Sequence, residues 1–430
     1  MLELRPCSKE RPVKTRVVSA LTAGVLVLAT TACGDEGTQA ADDGAVLTLW
    51  TRAATESVSK AYADAYNATH SNKVEVTAYP NEEYPAKLAS AAGAKSLPDL
   101  FAADVVFAPQ YASQGLWADV TDRLATLPVK DKVAPSHLKA GTWEDRNYAL
   151  PHTIDLSVLL YNKDLYTKAG LDPEKPPSTL REFADHARKI DRLGGDVNGT
   201  YFGGNCGGCV EFTLWPSVWA ADGDVIDADG EQAKVDSPEM ADVFALYRAL
   251  YEEGVAAPAS KDEAGPTWLG ALQSGNVGIA PAPSVWLDAL EQKGLKLGVA
   301  PISGLTGGES TFVGGDALGI GATTEKTEQA WDFLAWTTSD EAQVEVVAKN
   351  KGVPTRTDLA ANKYSSADPR TVLINGLVAK GRTPYARNFN VSFNDPQSPW
   401  LQTVRGALFG DAGKALADGN TAITKSLQQG

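Results

Sequence analysis

Cysteine and histidine are scarce in this chain of 430 residues, with four of each. A structural zinc site takes about four Cys or His ligands. His70, His137, His152 and His186 stand at no ligand-like spacing, so no metal and no other cofactor is expected. Local catalytic signatures are missing too. The chain contains no G-x-S-x-G, no H-E-x-x-H and no Walker loop, which would mark a hydrolase elbow, a zinc protease or a phosphate cradle. Basic residues are outnumbered, 39 Lys and Arg against 54 Asp and Glu, and the formal net charge is −15. Nucleic-acid binding needs clustered cations, so no nucleic-acid partner is expected. No long apolar run follows residue 32, which leaves no candidate membrane span in the body of the protein.

What is present begins with an address. Arg5, Lys9, Arg11, Lys14 and Arg16 form a basic start, and an apolar stretch runs from Val17 to Ala32. Small residues close it before Cys33, so residues 1–32 read as a secretion signal. Thr30-Thr-Ala-Cys33-Gly is similar to the bacterial lipobox, with Thr30 where Leu is preferred. That resemblance implies lipidation of Cys33, with two acyl chains giving stable anchoring. Residues 33–44, acidic and small, read as a flexible tether. Removing residues 1–32 takes away five basic and two acidic side chains and leaves a net charge of −18. Cys206 and Cys209 remain, in Gly203-Gly-Asn-Cys-Gly-Gly-Cys209. In an exported protein such a pair is expected to be a disulfide stiffening a glycine-rich loop.

The body is globular in composition, 43% hydrophobic and 22% charged, and rich in tryptophan, with ten. Strands and helices alternate along it. Ala45–Trp50, Lys73–Tyr79, Asp99–Phe107, Ser157–Tyr161, Val277–Ala280 and Ala317–Ile320 read as strands. Helices are expected over Ser57–Asn67, with Val58, Ala61, Tyr62 and Ala65 on one face, and over Tyr84–Ala92. Thr179 and Glu182 are placed as a capping box for a helix to Arg192. Ser237-Pro238 opens another, ended by Gly254. Glu325–Thr337, Asp340–Lys351 and Arg370–Ala379 follow. Such alternation predicts an α/β fold with largely parallel sheets.

The order of short motifs resembles the family 1 extracellular solute-binding proteins of ABC importers. The pieces are Leu47-Thr-Leu-Trp50-Thr, Leu97-Pro-Asp99-Leu-Phe, Gln114-Gly115-Leu-Trp-Ala-Asp119, Tyr148-Ala-Leu-Pro151, Leu160-Tyr161-Asn162-Lys163-Asp-Leu-Tyr, Lys168-Ala-Gly170-Leu, Pro177-Ser-Thr179-Leu-Arg-Glu182-Phe183, Leu272-Gln-Ser-Gly275-Asn-Val-Gly278 and Gly314-Gly315-Asp316-Ala-Leu-Gly. Each is weak alone; in order, behind a lipoprotein-like signal, they reinforce one another across nearly the whole body.

The resemblance implies a two-lobed, periplasmic-binding-protein-like fold, each lobe a largely parallel sheet flanked by helices, with ligand held in the cleft between lobes. Lobe one is expected over 45–152 and 313–360, lobe two over 153–312 and 361–430. It implies a substrate-binding subunit, not an enzyme. The expected partners are a small carbohydrate ligand and the transmembrane subunits of an ABC permease. A monomer lipid-anchored on the extracellular face of the cell membrane is expected, touching the membrane through that anchor alone.

Ligands of open α/β sheets bind beyond the carboxyl ends of strands. That rule selects Trp50, Glu82, Glu83 and Asp104 as candidates; Asp155, and Gly314, Gly315 and Asp316, join them because the resemblance implies that the chain crosses between lobes there. Sugars offer apolar faces for aromatic rings and hydroxyls for polar groups. Trp215, Trp219, Trp268 and Trp286 are candidate platforms alongside Trp50, and Arg356 and Arg387 candidate donors. Trp331 and Trp336, on helices, are expected in the core.

Overall fold

A computed structural model describes residues 42–429. The expected signal, Cys33 and most of the tether lie outside the described residues. The tether's last residues are tied down: the Asp42 carboxylate accepts from the backbone N–H groups of Ser71 and Asn72 at 2.9 and 2.6 Å. No helix among the described residues is long and apolar enough to cross a membrane.

The first half is built on β1 (Val46–Arg52), which places Leu47, Leu49 and Thr51 inward. It lies parallel to β2 (Lys73–Tyr79) on one side and β3 (Leu100–Asp104) on the other. Helix α1 (Glu56–Thr69) and α2 (Tyr84–Gly93) connect them. The buried face of α1 is Ser59, Tyr62, Ala63 and Tyr66, turned from the expected stripe. The reason is polar: Ser59 Oγ stands 2.8 Å from His152 Nε2, and Tyr66 Oη donates to Asp332 at 2.5 Å. A short helix, α3 (Pro135–Ala140), precedes the strand that joins the halves.

That strand, β4 (Ala149–Asn162), has 14 residues, about 45 Å of extended chain at ~3.3 Å per residue. Only its second part was legible as a strand. Its first part pairs with β7 (Val313–Ile320), Leu150 opposite Leu318 and Asp155 opposite Gly314. Its second part pairs with β5 (Ile279–Pro283) on one side and β6 (Leu297–Ala300) on the other. All three pairings are antiparallel, and β7 is antiparallel to β3 as well. The largely parallel sheet is therefore found at β2–β1–β3. Around β4 the sheet is antiparallel, because a strand serving both halves has neighbours that return from it. Beyond β5, parallel bridging resumes between Asn198 and Val277.

Helices cover the second half. In α4 (Leu180–Asp191) Thr179 Oγ1 accepts from Glu182 N at 3.0 Å, while Glu182 accepts from Ser178 N at 2.8 Å. The capping box thus closes one residue earlier than the expected pairing. Helix α5 (Gly207–Trp219) begins at the cysteine pair. Helix α6 (Pro238–Glu252) is capped by Ser237 as expected, and Gly254 supplies the left-handed turn after it at φ +78°. Helix α7 (Thr327–Trp336) returns to the first half. The segment expected as a helix to Lys351 is a π-helical turn over Glu341–Val347, and Lys351 itself takes the left-handed conformation, one residue before Gly352. Helices α8 (Pro369–Leu377), α9 (Pro399–Phe409) and α10 (Ala412–Leu427) complete the second half.

Three clusters of buried side chains result among the described residues. Leu47, Leu49, Tyr62, Leu100, Leu150, Leu318 and Phe333 lie in one, within the first half. Another runs through both halves, with Phe101 and Trp117 from the first and Phe183, Leu214, Trp215, Phe244 and Trp400 from the second. The third, with Leu156, Trp268, Leu290 and Val299, packs against the second part of β4. Burial of such side chains stabilises by about 1.5–3 kcal/mol each.

Candidate functional site

A cleft of about 610 Å³ opens where β4 and β7 pass between the halves. Its floor is the paired crossing strands, with Thr153, Ile154, Asp155, Gly314 and Gly315. The first half contributes Arg52 from the end of β1 and Asp104 from the end of β3; the second contributes Glu211 and Phe212 from α5, with Val285, Trp286 and Asn394. These positions follow the carboxyl-end rule for the first half.

One guanidinium organises the first-half wall. Arg52 donates to Asp316 Oδ1 through Nε at 2.8 Å and Nη2 at 2.5 Å, and its Nη1 lies 3.0 Å from Asp104 Oδ2. Asp316 is fully buried. It also accepts from Thr55 Oγ1 at 2.6 Å, and its backbone N–H donates to Thr153 Oγ1 at 2.9 Å. Burial works against the Arg52 charge, but the carboxylates of Asp316 and Asp104 outweigh it and raise its pKa.

Other carboxyls in the cleft have no such partner. Burial pushes Asp155 up to about 7, opposed by backbone N–H groups of Val285 and Leu156 and by Ser284, whose Oγ donates to Asp155 Oδ1 at 3.4 Å. Burial pushes Glu211 well above the usual carboxylate range, helped by the negative charge of Asp104. Glu211 is 2% exposed, and its Oε1 has no hydrogen-bond partner. Asp104 is also raised by burial, with Arg52 opposing. His152, at the cleft edge, is lowered to about 4 by burial and is neutral.

The apolar side is aromatic. Trp286, half-buried, packs edge-on against Trp268 with centroids 5.0 Å apart. Phe212 and Phe312 pack at 5.3 Å on the other side. Gly315 has φ +109°, and a Cβ there would lie 2.1 Å from Thr153 O, so glycine is required by the strand crossing itself. Polar groups around rings suit a ligand with both hydroxyls and apolar faces.

Of the residues selected from sequence, Asp104, Asp155, Trp286, Gly314 and Gly315 line this cleft together. Asp316 stands behind them, holding Arg52. Trp268 is buried and supports Trp286. The rest lie elsewhere, each for a visible reason. Trp50 packs on Tyr79 at 5.1 Å beneath the Lys87 ammonium. Glu82 and Glu83 are exposed in the turn before α2. Trp215 packs among Phe393, Trp400 and Trp219, and with Trp219 borders a separate cavity of about 420 Å³ near Lys139 and Arg382. Arg356 is buried and spent on Asp358, at 2.9 and 2.6 Å, and on Asp340 at 2.5 Å. Arg387 lies over the Trp143 ring at 5.1 Å, with Glu231 at 3.9 Å.

Sequence reasoning passed over Arg52, two residues beyond Trp50, though the carboxyl-end rule reaches it. It also missed Glu211 and Phe212, because the glycines around the cysteines hid a helix start. Cys206 caps α5, accepting from Cys209 N at 3.1 Å, so the C-x-x-C opens a helix instead of sitting in a loop. The sulfurs of Cys206 and Cys209 lie at bonding distance, with Cα atoms 5.2 Å apart. Among the described residues no group of three or more His, Cys, Asp and Glu could hold a metal ion.

Comparison with known proteins agrees with this architecture. The diacetylchitobiose binding protein DasA of Streptomyces coelicolor is 24% identical over 379 residues, 82% of this chain and 85% of its own length. The sn-glycerol-3-phosphate-binding protein UgpB of Shigella flexneri is 31% identical over 107 residues, 24% of each chain. The structure of a cyclic alpha-maltosyl-1,6-maltose binding protein from Arthrobacter globiformis superposes with a TM-score of 0.77 at 24% identity, covering 90% of this chain and 99% of that one. The sugar-binding protein MalE from Xanthomonas citri gives 0.77 at 16% identity, covering 89% and 97%. These likenesses establish the two-lobed fold. The family described as bacterial extracellular solute-binding protein matches residues 61–371, most of the chain, and the protein belongs to that family.

Proposed function

We propose that this protein is the substrate-binding subunit of an ABC importer, capturing a sugar or oligosaccharide outside the membrane and delivering it to the permease. The observation that carries the reading is the half-buried Trp286 ring facing a cleft rimmed by Asp104, Asp155 and Glu211. A ring packs on the C–H face of a sugar, and carboxyl oxygens accept from its hydroxyls. Gly314, Gly315 and Arg52 complete the contact set in this reading. The names of relatives and structural neighbours point the same way, to diacetylchitobiose and to maltose-type sugars.

The lobes divide as 45–152 with 313–360 and 153–312 with 361–430, and they close about β4 and β7 when ligand binds, a hinge motion. The protein binds its sugar without chemical change. It is a monomer, exported by residues 1–32, anchored through lipid on Cys33 and stabilised by a Cys206–Cys209 disulfide. A phosphate ester, the ligand named for UgpB, is disfavoured. Arg52 is the one Lys or Arg among the cleft-lining residues, and it is engaged by two carboxylates; phosphate recognition calls for free guanidinium donors.

A thermal-shift screen against mono- and oligosaccharides, polyamines and phosphoesters tests the ligand class. Binding to the folded state alone adds about 2.7 kcal/mol of stability at a hundredfold excess over the dissociation constant. A rise with one sugar class and no turnover is the expected result. A rise with phosphoesters or polyamines alone would discard the sugar, and consumption of the sugar would make the protein an enzyme.

A further inference from the structure

The cleft's charges do not balance. Its lining carries one cation, Arg52, against Asp104, Asp155 and Glu211, with Asp316 directly behind. Arg52 is spent on Asp316 and Asp104. Asp155 and Glu211 form no ion pair among the described residues, and Glu211 Oε1, buried in the wall, has no hydrogen-bond partner at all. The histidines nearby add no charge: His152 and His137 are both buried, and burial lowers each to about 4.

Lobe closure removes water from these groups, and a carboxylate without water or a counter-charge is strongly disfavoured. A neutral sugar supplies hydroxyl donors but no charge. The carboxyls would then have to take protons from solvent as it binds. A cationic ligand compensates them directly and is attracted by them. Trp286 offers a ring face to the same ligand, favourable both to sugar C–H groups and to a cation. Resting on the carbohydrate reading above, we propose that the ligand is a saccharide bearing a protonated amine, with the ammonium seated beside Glu211 and Asp104.

Proton linkage gives this a sign. Burial raises Glu211 well above its usual range and Asp155 to about 7, so near pH 7 Asp155 carries a proton part of the time, and burial favours the protonated form of Glu211 as well. The groups facing them are Arg52 from β1, Asp104 from β3, His152 from β4 and Asp316 from β7. A bound ammonium favours their ionised forms and expels protons; a bound neutral sugar desolvates them and draws protons in.

The test is calorimetric titration of the purified protein near pH 7, in two buffers of different ionisation enthalpy, with three matched series. These are glucosamine and its β-1,4 oligomers, their N-acetylated counterparts, and glucose with its β-1,4 oligomers; maltose and maltotriose are added as neutral α-linked sugars. The expected result is binding of the amine series about tenfold or more tighter than its acetylated and hydroxyl counterparts, with net proton release. Glu211→Gln, checked for an unchanged melting temperature, and Asp104→Asn, as a second variant, should each shrink that preference. Equal or tighter binding of any acetylated or neutral sugar, or proton uptake on binding, overturns the inference and leaves the carbohydrate reading standing. Failure of every sugar to bind overturns both.

Discussion

In the proposed reading, single side chains in the cleft divide into those that meet ligand and those that hold others in place. Trp286 is of the first kind: half-buried, braced by Trp268 and open toward the cleft. Trp286→Ala is expected to weaken sugar binding about tenfold with the melting temperature nearly unchanged; calorimetry and thermal unfolding on the same sample check both halves of that statement. Arg52 is of both kinds. Arg52→Ala leaves the buried Asp316 carboxylate without its counter-charge, which costs about 3–5 kcal/mol of stability, measurable by chemical denaturation. A loss well under 1 kcal/mol would mean that Thr55 and the strand amides suffice for Asp316. These roles explain what could be read in advance. Asp104 follows from a strand end, which the apolar run reveals, whereas Asp155, Gly314 and Gly315 follow from the crossings that the family resemblance implies. Arg356 and Trp215 bear equally suitable chemistry, but the fold uses them elsewhere: Arg356 on Asp358, two residues on, and on Asp340, sixteen residues back, and Trp215 against Trp400. The Trp215 packing in particular has no local signal in the sequence.

Elements were legible where their signals are local. Thr179, Ser237 and Gly254 mark helix ends that the structure keeps, because a cap acts within four residues of chain. The length of β4 was not legible, since Pro151 interrupts its first part and pairing with β7, over 150 residues away, is what extends the strand there. The start of α5 was hidden by the glycines flanking Cys206 and Cys209, although this helix carries Glu211 and Phe212 into the cleft. Closing so short a loop covalently is worth about 2 kcal/mol. A reducing agent is therefore expected to lower the melting temperature, and Cys206→Ser with Cys209→Ser should remove that sensitivity. A wild-type melting temperature indifferent to reductant would contradict the bond.

At the scale of the whole molecule, the crossing strands β4 and β7 run between the halves at the cleft floor, so the charge state of groups buried at the crossing bears on stability. His137 and His152 are buried at the crossing, one donating through Nε2 to Gly314 O at 3.1 Å, the other packed against Ser59. Burial lowers both to about 4, below the usual value of about 6.5. The unfolded chain thus binds more protons between these values. Stability from these histidines is complete above pH 6.5 and is lost as pH falls toward 4, about 3 kcal/mol for each. Asp155 works oppositely, its contribution fading as pH rises through 7. Comparison with His152→Gln isolates the histidine share: the variant should lose less stability between pH 6.5 and 4 in thermal unfolding, and parallel curves would refute the assignment.

In the proposed reading the cleft binds a carbohydrate and releases it unchanged. Isothermal titration of the purified protein with a saccharide panel, run beside Trp286→Ala and followed by chromatography of the recovered sugar, tests it most directly. One-to-one saturation by one class of sugar, much weaker binding by the variant and intact sugar at the end are expected. Saturation of the variant at unchanged affinity, cleavage of the sugar, or binding by no saccharide in the panel would contradict it.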